Sequence, residues 1–281
     1  MSPAIPRACV IGWPVRHSRS PMIHGYWLST LGIAGDYVLA EVAPDDFAQF
    51  VKALRPNGFV GANVTLPHKE AAFALCERRS ATAEALGAVN TLWFEDGVLC
   101  GDNTDVGGFL GNLDAVAPGW DENVGQAVVL GAGGAARGVL HALGLRGIKS
   151  IVLNRTLARA QDLCATATDG SRRALPWEDW RHVAGSAGLV VNTTSLGMAK
   201  QPPLTLDLAV LPGDALVTDI VYVPLETAFL AAAKARRLRT VDGLGMLLHQ
   251  AVPGFEHWFG VRPQVTAELR ALVVADIQAK T

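Results

Sequence analysis

Apolar and polar positions fall into two series of short alternating elements. Residues 8–12 form an apolar run that stops at Gly12 and read as a buried strand. Met22, Ile23, Trp27, Leu28 and Leu31 then recur near helical spacing, so 21–31 reads as a helix, with Ser20 as its N-cap and Pro21 at its first position. Residues 36–42 read as a strand, 45–54 as a helix, 58–65 as a strand and 69–84 as one helix. Strand and helix alternate throughout, which favours a mainly parallel sheet.

The second series is cleaner. Residues 126–130 are a short apolar strand, followed at once by a Gly-rich turn and a helix over 137–145. A strand over 150–154, a helix over 157–166, strands over 188–193 and 215–220, a helix over 227–235 and a strand over 239–242 continue the repeat. Beyond Gly245 only helical patterns follow, over 246–259 and 266–277, separated by Gly260 and Pro263. These last helices are expected to pack back on the first unit.

Composition narrows the class. The 281 residues suit two domains at about 150 each. Half are apolar and 18% charged, which excludes disorder, collagen and coiled coil as overall descriptions. A net charge of −2 and a pI near 6.4 give no basic face for nucleic acid or an anionic membrane. Cys9, Cys76, Cys100 and Cys164 lie far apart without metal-ligand spacing, so no metal is implied. The opening Met1 to Arg7 does not read as a signal peptide, and the longest uncharged stretch, 183–199, holds Asn192, Thr193, Thr194 and Ser195, too polar to span a membrane. A soluble protein of the reducing cytoplasm is expected.

The turn Gly131-Ala132-Gly133-Gly134-Ala135-Ala136 stands between a strand and a helix. Glycine there allows a tight turn and close approach of a pyrophosphate, and the helix start offers unpaired N–H groups. This is the signature of a Rossmann-type dinucleotide domain. The whole chain therefore reads as two-domain α/β: a discontinuous, mainly parallel substrate domain over 1–105 and 245–281, and a Rossmann-type domain over 106–244. The next strand chooses the cofactor. It ends Asn154-Arg155-Thr156, Arg159 follows, and no Asp or Glu occurs between 151 and 161. An acidic residue there would favour NAD, whereas a guanidinium suits a 2′-phosphate, so NADP is the expected cofactor.

Polar clusters mark candidate chemistry. Ser18 and Ser20, two hydroxyls beside a helix start, suit a small carboxylate. Asn63 and Thr65 share one side of a strand end, and Lys69 opens the helix after it, where the helix dipole disfavours a cation. Asn90 and the run Asp102-Asn103-Thr104-Asp105 add polar density at the end of the first unit, and Asp242-Gly243 and Gln250 repeat the theme near the far end. Singly, each is also what a capping serine, a solvated lysine, a polar turn or a helix-surface glutamine looks like.

Taken together, Ser-x-Ser-Pro, Asn-Val-Thr-x-Pro-x-Lys, Gly-Ala-Val-Asn-Thr, Gly-Asp-Asn-Thr-Asp, Gly-Ala-Gly-Gly-Ala, Asn-Arg-Thr and Asp-Gly-Leu-Gly-Met occur in an order and spacing that resemble the shikimate dehydrogenase family, from Val10 to about Gly260. The resemblance implies NADPH-dependent reduction of 3-dehydroshikimate to shikimate, on the route to chorismate and aromatic amino acids. It implies Lys69 and Asp105 as the catalytic pair, Ser18 and Ser20 on the substrate carboxylate, and Thr65, Asn90 and Gln250 on its hydroxyls with Tyr222 beside them. Asn63 and Thr104 are weaker candidates. It places the pyrophosphate on Gly131, Ala132, Gly133, Gly134 and Ala135, the 2′-phosphate on Asn154, Arg155, Thr156 and Arg159, and the nicotinamide near Ile220 and Gly243. The acidic residue of the NAD-using quinate/shikimate paralogues is absent. A quinate/shikimate dehydrogenase of relaxed range and a non-catalytic NADP-binding regulator remain the alternatives. The expected state is a monomer or homodimer.

Overall fold

The computed structural model describes residues 5–280. Residues 1–4, part of the opening segment read against a signal peptide, and residue 281 lie outside them. The chain divides into two compact units. One runs to Asp105 and takes in Leu248–Val273; the other is Val106–Leu247 with the chain from Val274 onward. The division thus splits the terminal segment, which the sequence reading assigned whole to the first unit.

The first unit contains β1 (Arg7–Gly12), α1 (Ser20–Thr30), β2 (Asp36–Glu41), α2 (Phe47–Lys52), β3 (Phe59–Val64), α3 (Lys69–Leu75), β4 (Arg78–Arg79), α4 (Ala81–Leu86), β5 (Thr91–Glu95) and β6 (Val98–Asp102). Its sheet has the order β2-β1-β3-β5-β6-β4. β1 is parallel to both β2 and β3, while β5 joins β3 and β6 in antiparallel fashion. Alternation along β1 sends Cys9 and Ile11 into a core with Phe47, Val51, Leu54 and Val64. Ala8 and Val10 bury on the opposite face with Tyr37 and Trp258. Cover on both faces is why this strand reads as unbroken apolar sequence.

Two features of this unit depart from the sequence reading. The expected helix over 69–84 is two helices, because Cys76 is extended, Arg78 and Arg79 pair with β6, and Ser80 caps α4 by accepting from the Ala83 amide. Ala72, Cys76 and Ala83 enter the same core, so apolar periodicity continues across the break. The β5–β6 hairpin was also unread. Its turn residues Asp96 and Gly97 both have positive φ, 51° and 85°, as a two-residue type I′ turn requires.

The second unit begins within α5 (Asp105–Val116) and continues through β7 (Gln126–Leu130), α6 (Gly134–Leu145), β8 (Lys149–Asn154), α7 (Leu157–Cys164), β9 (Arg172–Pro176), α8 (Trp180–Ala184), β10 (Leu189–Asn192), β11 (Leu216–Asp219), α9 (Ala228–Ala235) and β12 (Arg239–Val241). α10 (Leu244–Phe259) and α11 (Ala267–Lys280) complete the chain. The strand order is β12-β11-β10-β7-β8-β9, with every pair parallel. Order reverses between β7 and β10, which makes that point the place where a Rossmann-type sheet takes its ligand. Val128, Leu130, Ile151, Leu153, Val190 and Val217 supply one core layer. β9 escaped the sequence reading because, as an edge strand with two arginines, it has no continuous buried run.

Cys9, Cys76, Cys100 and Cys164 are all free and buried, and no helix among the described residues is long and apolar enough to cross a membrane.

Candidate active site

Lys69 is the first residue of α3, and Asp105 opens α5. The lysine Nζ lies 2.5 Å from Asp105 Oδ2, with both side chains about one-quarter exposed, at 26% and 25%. A cation in the first turn of a helix loses about 0.3–1 kcal/mol to the helix dipole. A charge-assisted hydrogen bond contributes about 1.5–3 kcal/mol, so the pairing outweighs the unfavourable position.

Asn90 holds the carboxylate from the other side. Its Nδ2 donates to Asp105 Oδ1 at 2.8 Å. Its Oδ1 accepts from the Thr104 backbone N–H at 2.8 Å and from the Thr91 hydroxyl at 3.0 Å. A backbone N–H can only donate, so it fixes which end of the amide faces Asp105. Thr104 Oγ1 has one proton, and its shortest acceptor is the Gln250 carbonyl at 2.8 Å, against 3.1 Å to Asn90 Oδ1. That bond ties the Asp105 turn to α10. Asn63 backs the same cluster: its Oδ1 accepts from the Tyr37 hydroxyl at 2.6 Å, and its Nδ2 donates to Thr91 Oγ1 and the Asn90 carbonyl, each at 3.3 Å.

Lys69, Asn90, Thr104 and Asp105 are thus brought into direct contact, with Asn63 behind them. Thr91 and Tyr37 were not singled out from sequence. The signal for Thr91 was its place beside Asn90 in Ala-Val-Asn-Thr. Ser18 and Ser20 stand together, their hydroxyls 3.2 Å apart. The expected capping role of Ser20 is not observed. α1 begins at Ser20 itself, the Arg19 side chain at the cap position does not bond the helix-start amides, and the Ser20 amide donates to Ser18 Oγ at 3.3 Å. Pro21 allows this because it has no N–H to cap. Thr65 is half-buried just beyond β3, and the Gln250 side chain is half-buried on α10. Tyr222 is half-buried in the second unit, after β11.

The phosphate turn fits a dinucleotide. Gly131 has φ +103°, and a Cβ there would meet Thr193 Oγ1 and Thr194 Cγ2, each at 2.9 Å. Gly133 and Gly134 have open space where a side chain would stand, and both are exposed. Gly133 occupies the cap position of α6 with no side chain on the first N–H groups, so these remain available to an anion. Ala132 is half-buried and Ala135 exposed. After β8, Arg155, Thr156 and Arg159 are exposed, and no ion pair engages either guanidinium among the described residues. Asn154 turns back on its own loop, donating to the Thr156 carbonyl at 2.9 Å. Gly243 packs so closely that a Cβ would strike the backbone of Ile220 and Val221.

Three family models match along the chain: the shikimate dehydrogenase substrate binding domain over residues 10–92, shikimate / quinate 5-dehydrogenase over 119–207, and the shikimate 5′-dehydrogenase C-terminal domain over 243–272. A Mesorhizobium japonicum protein named shikimate dehydrogenase (NADP(+)) is 61% identical over 100% of both chains. The chain belongs to the shikimate dehydrogenase family. Among solved structures, a Thermus thermophilus shikimate 5-dehydrogenase in complex with NADP(H) and shikimate is similar at 37% identity and a TM-score of 0.84, over 97% of this chain and all of that one. A Corynebacterium glutamicum quinate dehydrogenase in complex with NAD is similar at 31% identity and a TM-score of 0.89, over 96% and 99% of the two chains. Shikimate dehydrogenase relatives therefore account for both units, each with its expected kind of domain.

Proposed function

We propose that this chain is an NADP-dependent shikimate dehydrogenase, which reversibly reduces 3-dehydroshikimate to shikimate on the route to chorismate and aromatic amino acids. The observation that carries the reading is the Lys69–Asp105 pair, locked by Asn90, in a chain whose β8 ends in arginine rather than an acid. Full-length relatives named for this NADP-linked activity support it.

NADPH, when bound, supplies a hydride to the ketone carbon. The Gly131 to Ala135 turn holds its pyrophosphate, Arg155 and Arg159 hold its 2′-phosphate beside Asn154 and Thr156, and Ile220 and Gly243 form the wall at its reacting ring. Ser18 and Ser20 donate hydroxyl hydrogen bonds to the substrate carboxylate. Thr65, Asn90, Gln250 and Tyr222 meet its hydroxyl face. As negative charge develops on the carbonyl oxygen, the Lys69 ammonium stabilises it and delivers the proton; in oxidation the neutral amine takes that proton back. Asp105 orients the ammonium through Oδ2 while Asn90 keeps Oδ1 occupied. The enzyme works in the reducing cytoplasm, where four free thiols are no liability.

The test is turnover of shikimate and of quinate, each with NADP and with NAD, followed by the absorbance of the reduced cofactor. Shikimate with NADP is expected to be the preferred pair. Preference for quinate with NAD would overturn the substrate and cofactor assignment, and no turnover of any pair would leave only a dinucleotide-binding protein.

A further inference from the structure

Asp219 ends β11 with its side chain fully buried, and no step above uses it. Three donors converge on the carboxylate. Oδ1 accepts from Asn192 Nδ2 at 2.9 Å and from the Val221 backbone N–H at 3.0 Å, and Oδ2 accepts from the Thr227 hydroxyl at 2.8 Å. No cation is among these partners, and burial pushes the carboxyl up to about 6 despite the three bonds. A buried carboxylate without a cation is costly, so its presence here points to a task that apolar packing or an amide cannot perform. That task is acceptance on both oxygens at once.

The bonds extend further. Asn192 Oδ1 accepts from the Thr194 backbone N–H at 3.0 Å and its hydroxyl at 2.7 Å. The neighbouring Thr193 hydroxyl donates to the Leu130 carbonyl at 2.7 Å and stands against Gly131. A hydrogen-bonded and packed ladder thus crosses the carboxyl ends of β7, β10 and β11, at the point where strand order reverses. One end is the phosphate turn. The other is the segment from Ile220 to Thr227, with Gly243 tight against it.

We propose that Asp219 is a positioning residue of the cofactor site, whose carboxylate fixes the Ile220 to Thr227 segment relative to the phosphate turn and so sets the nicotinamide half of NADP(H) without touching it. The inference rests on the NADP reading above. It separates the two halves of the cofactor, because the adenosine phosphates are assigned to Arg155 and Arg159 on the other side of the strand reversal.

The experiment measures dissociation constants of NADPH and of 2′,5′-ADP, which carries only the adenosine half, for the native chain and for Asp219→Asn, Thr227→Val and Thr227→Ser. Asp219→Asn and Thr227→Val are each expected to weaken NADPH roughly 10-fold through the lost bond between Asp219 and Thr227. Thr227→Val also removes the α9 cap, the acceptor of the Leu230 N–H at 3.3 Å, a stability loss that the melting temperature reads separately. 2′,5′-ADP should stay within about twofold. Thr227→Ser, which keeps the hydroxyl, should restore NADPH binding. The Thr227 pair carries the test if Asp219→Asn does not fold. A purely structural role would lower the melting temperature and leave the ratio of the two dissociation constants unchanged, which overturns the proposal. Failure of the native chain to bind NADPH would overturn the cofactor assignment itself, and this inference with it.

Discussion

The polar side chains assigned to substrate chemistry and those assigned to the cofactor are held in opposite ways. In the first unit, Lys69, Asn90, Thr91, Thr104 and Asp105 bond one another, and the backbone amide of Thr104 sets the order. In the second unit, Gly133 and Gly134 face open space and Arg155 and Arg159 stand exposed. Groups that must meet charge as it develops gain from being aimed in advance, since reorientation during reaction costs barrier height. Groups that capture and release a polyanion at each turnover need only be reachable. Substitutions in the first set should therefore act on kcat, and those in the second on affinity.

The sharpest way to break this contrast is Lys69→Ala. Turnover of shikimate with NADP should fall about 10²–10⁴-fold, the range for removing a general acid, while the NADPH dissociation constant stays within about twofold. An unchanged kcat would overturn the catalytic role proposed for it. Asn90→Ala comes next. Left without its amide donor, Asp105 Oδ1 loses a charge-assisted bond, and kcat should fall roughly 10–100-fold, again with little change in NADPH binding. A rise confined to the KM for shikimate would instead make Asn90 a plain substrate contact.

On the open side, Arg155→Ala should weaken NADPH about 10-fold at low ionic strength and leave NADH unaffected. Added salt should shrink the difference, and equal losses for both cofactors would remove the 2′-phosphate assignment.

The last prediction is read in stability rather than in turnover or affinity, and concerns a buried polar group of the first unit. His24 is fully buried with both ring nitrogens lacking a hydrogen-bond partner among the described residues, and it stacks on Tyr37 at 4.0 Å. Burial pushes its pKa from 6.5 down to about 3. Between those values the unfolded chain binds a proton that the folded chain refuses. Stability from this group is complete above about pH 6.5 and is lost as pH falls toward 3. His24→Phe should remove that loss, about 2 kcal/mol at pH 5. The gain in melting temperature should be larger at pH 5 than at pH 8, and an equal gain at both would assign it to packing alone.

Legibility from the amino-acid pattern followed the same divide. β7 and β10 are buried on both faces and show up as plain apolar runs, so the parallel sheet could be read strand by strand. β9 could not, because Arg172 and Arg173 break the run at the sheet edge. In the first unit the Asp96–Gly97 turn was a usable hairpin signal, but the flanking strands mix Trp93, Glu95 and Cys100 with polar ends and lack a clear alternation. Lys69 and Asp105 were singled out as residues, and the motif order tied them to one family. Their mutual distance, and the part played by Thr91 and Tyr37, depended on strand register between β3, β5 and β6, which no local pattern encodes. Asp219 was hidden for a related reason: an acid at the end of a strand has no local mark of what will surround it.

The shielded thiols supply a built-in stopwatch. Burial raises Cys9 and Cys76 to about 12, so neither is a thiolate at neutral pH, and a thiol-specific alkylating reagent has nothing to attack until the surrounding layers part. Cys9, Cys76 and Cys100 belong to one unit and Cys164 to the other. The tempo at which each acquires a label therefore times the breathing of its own half of the chain, and ligand added to the reaction slows whichever clock it grips.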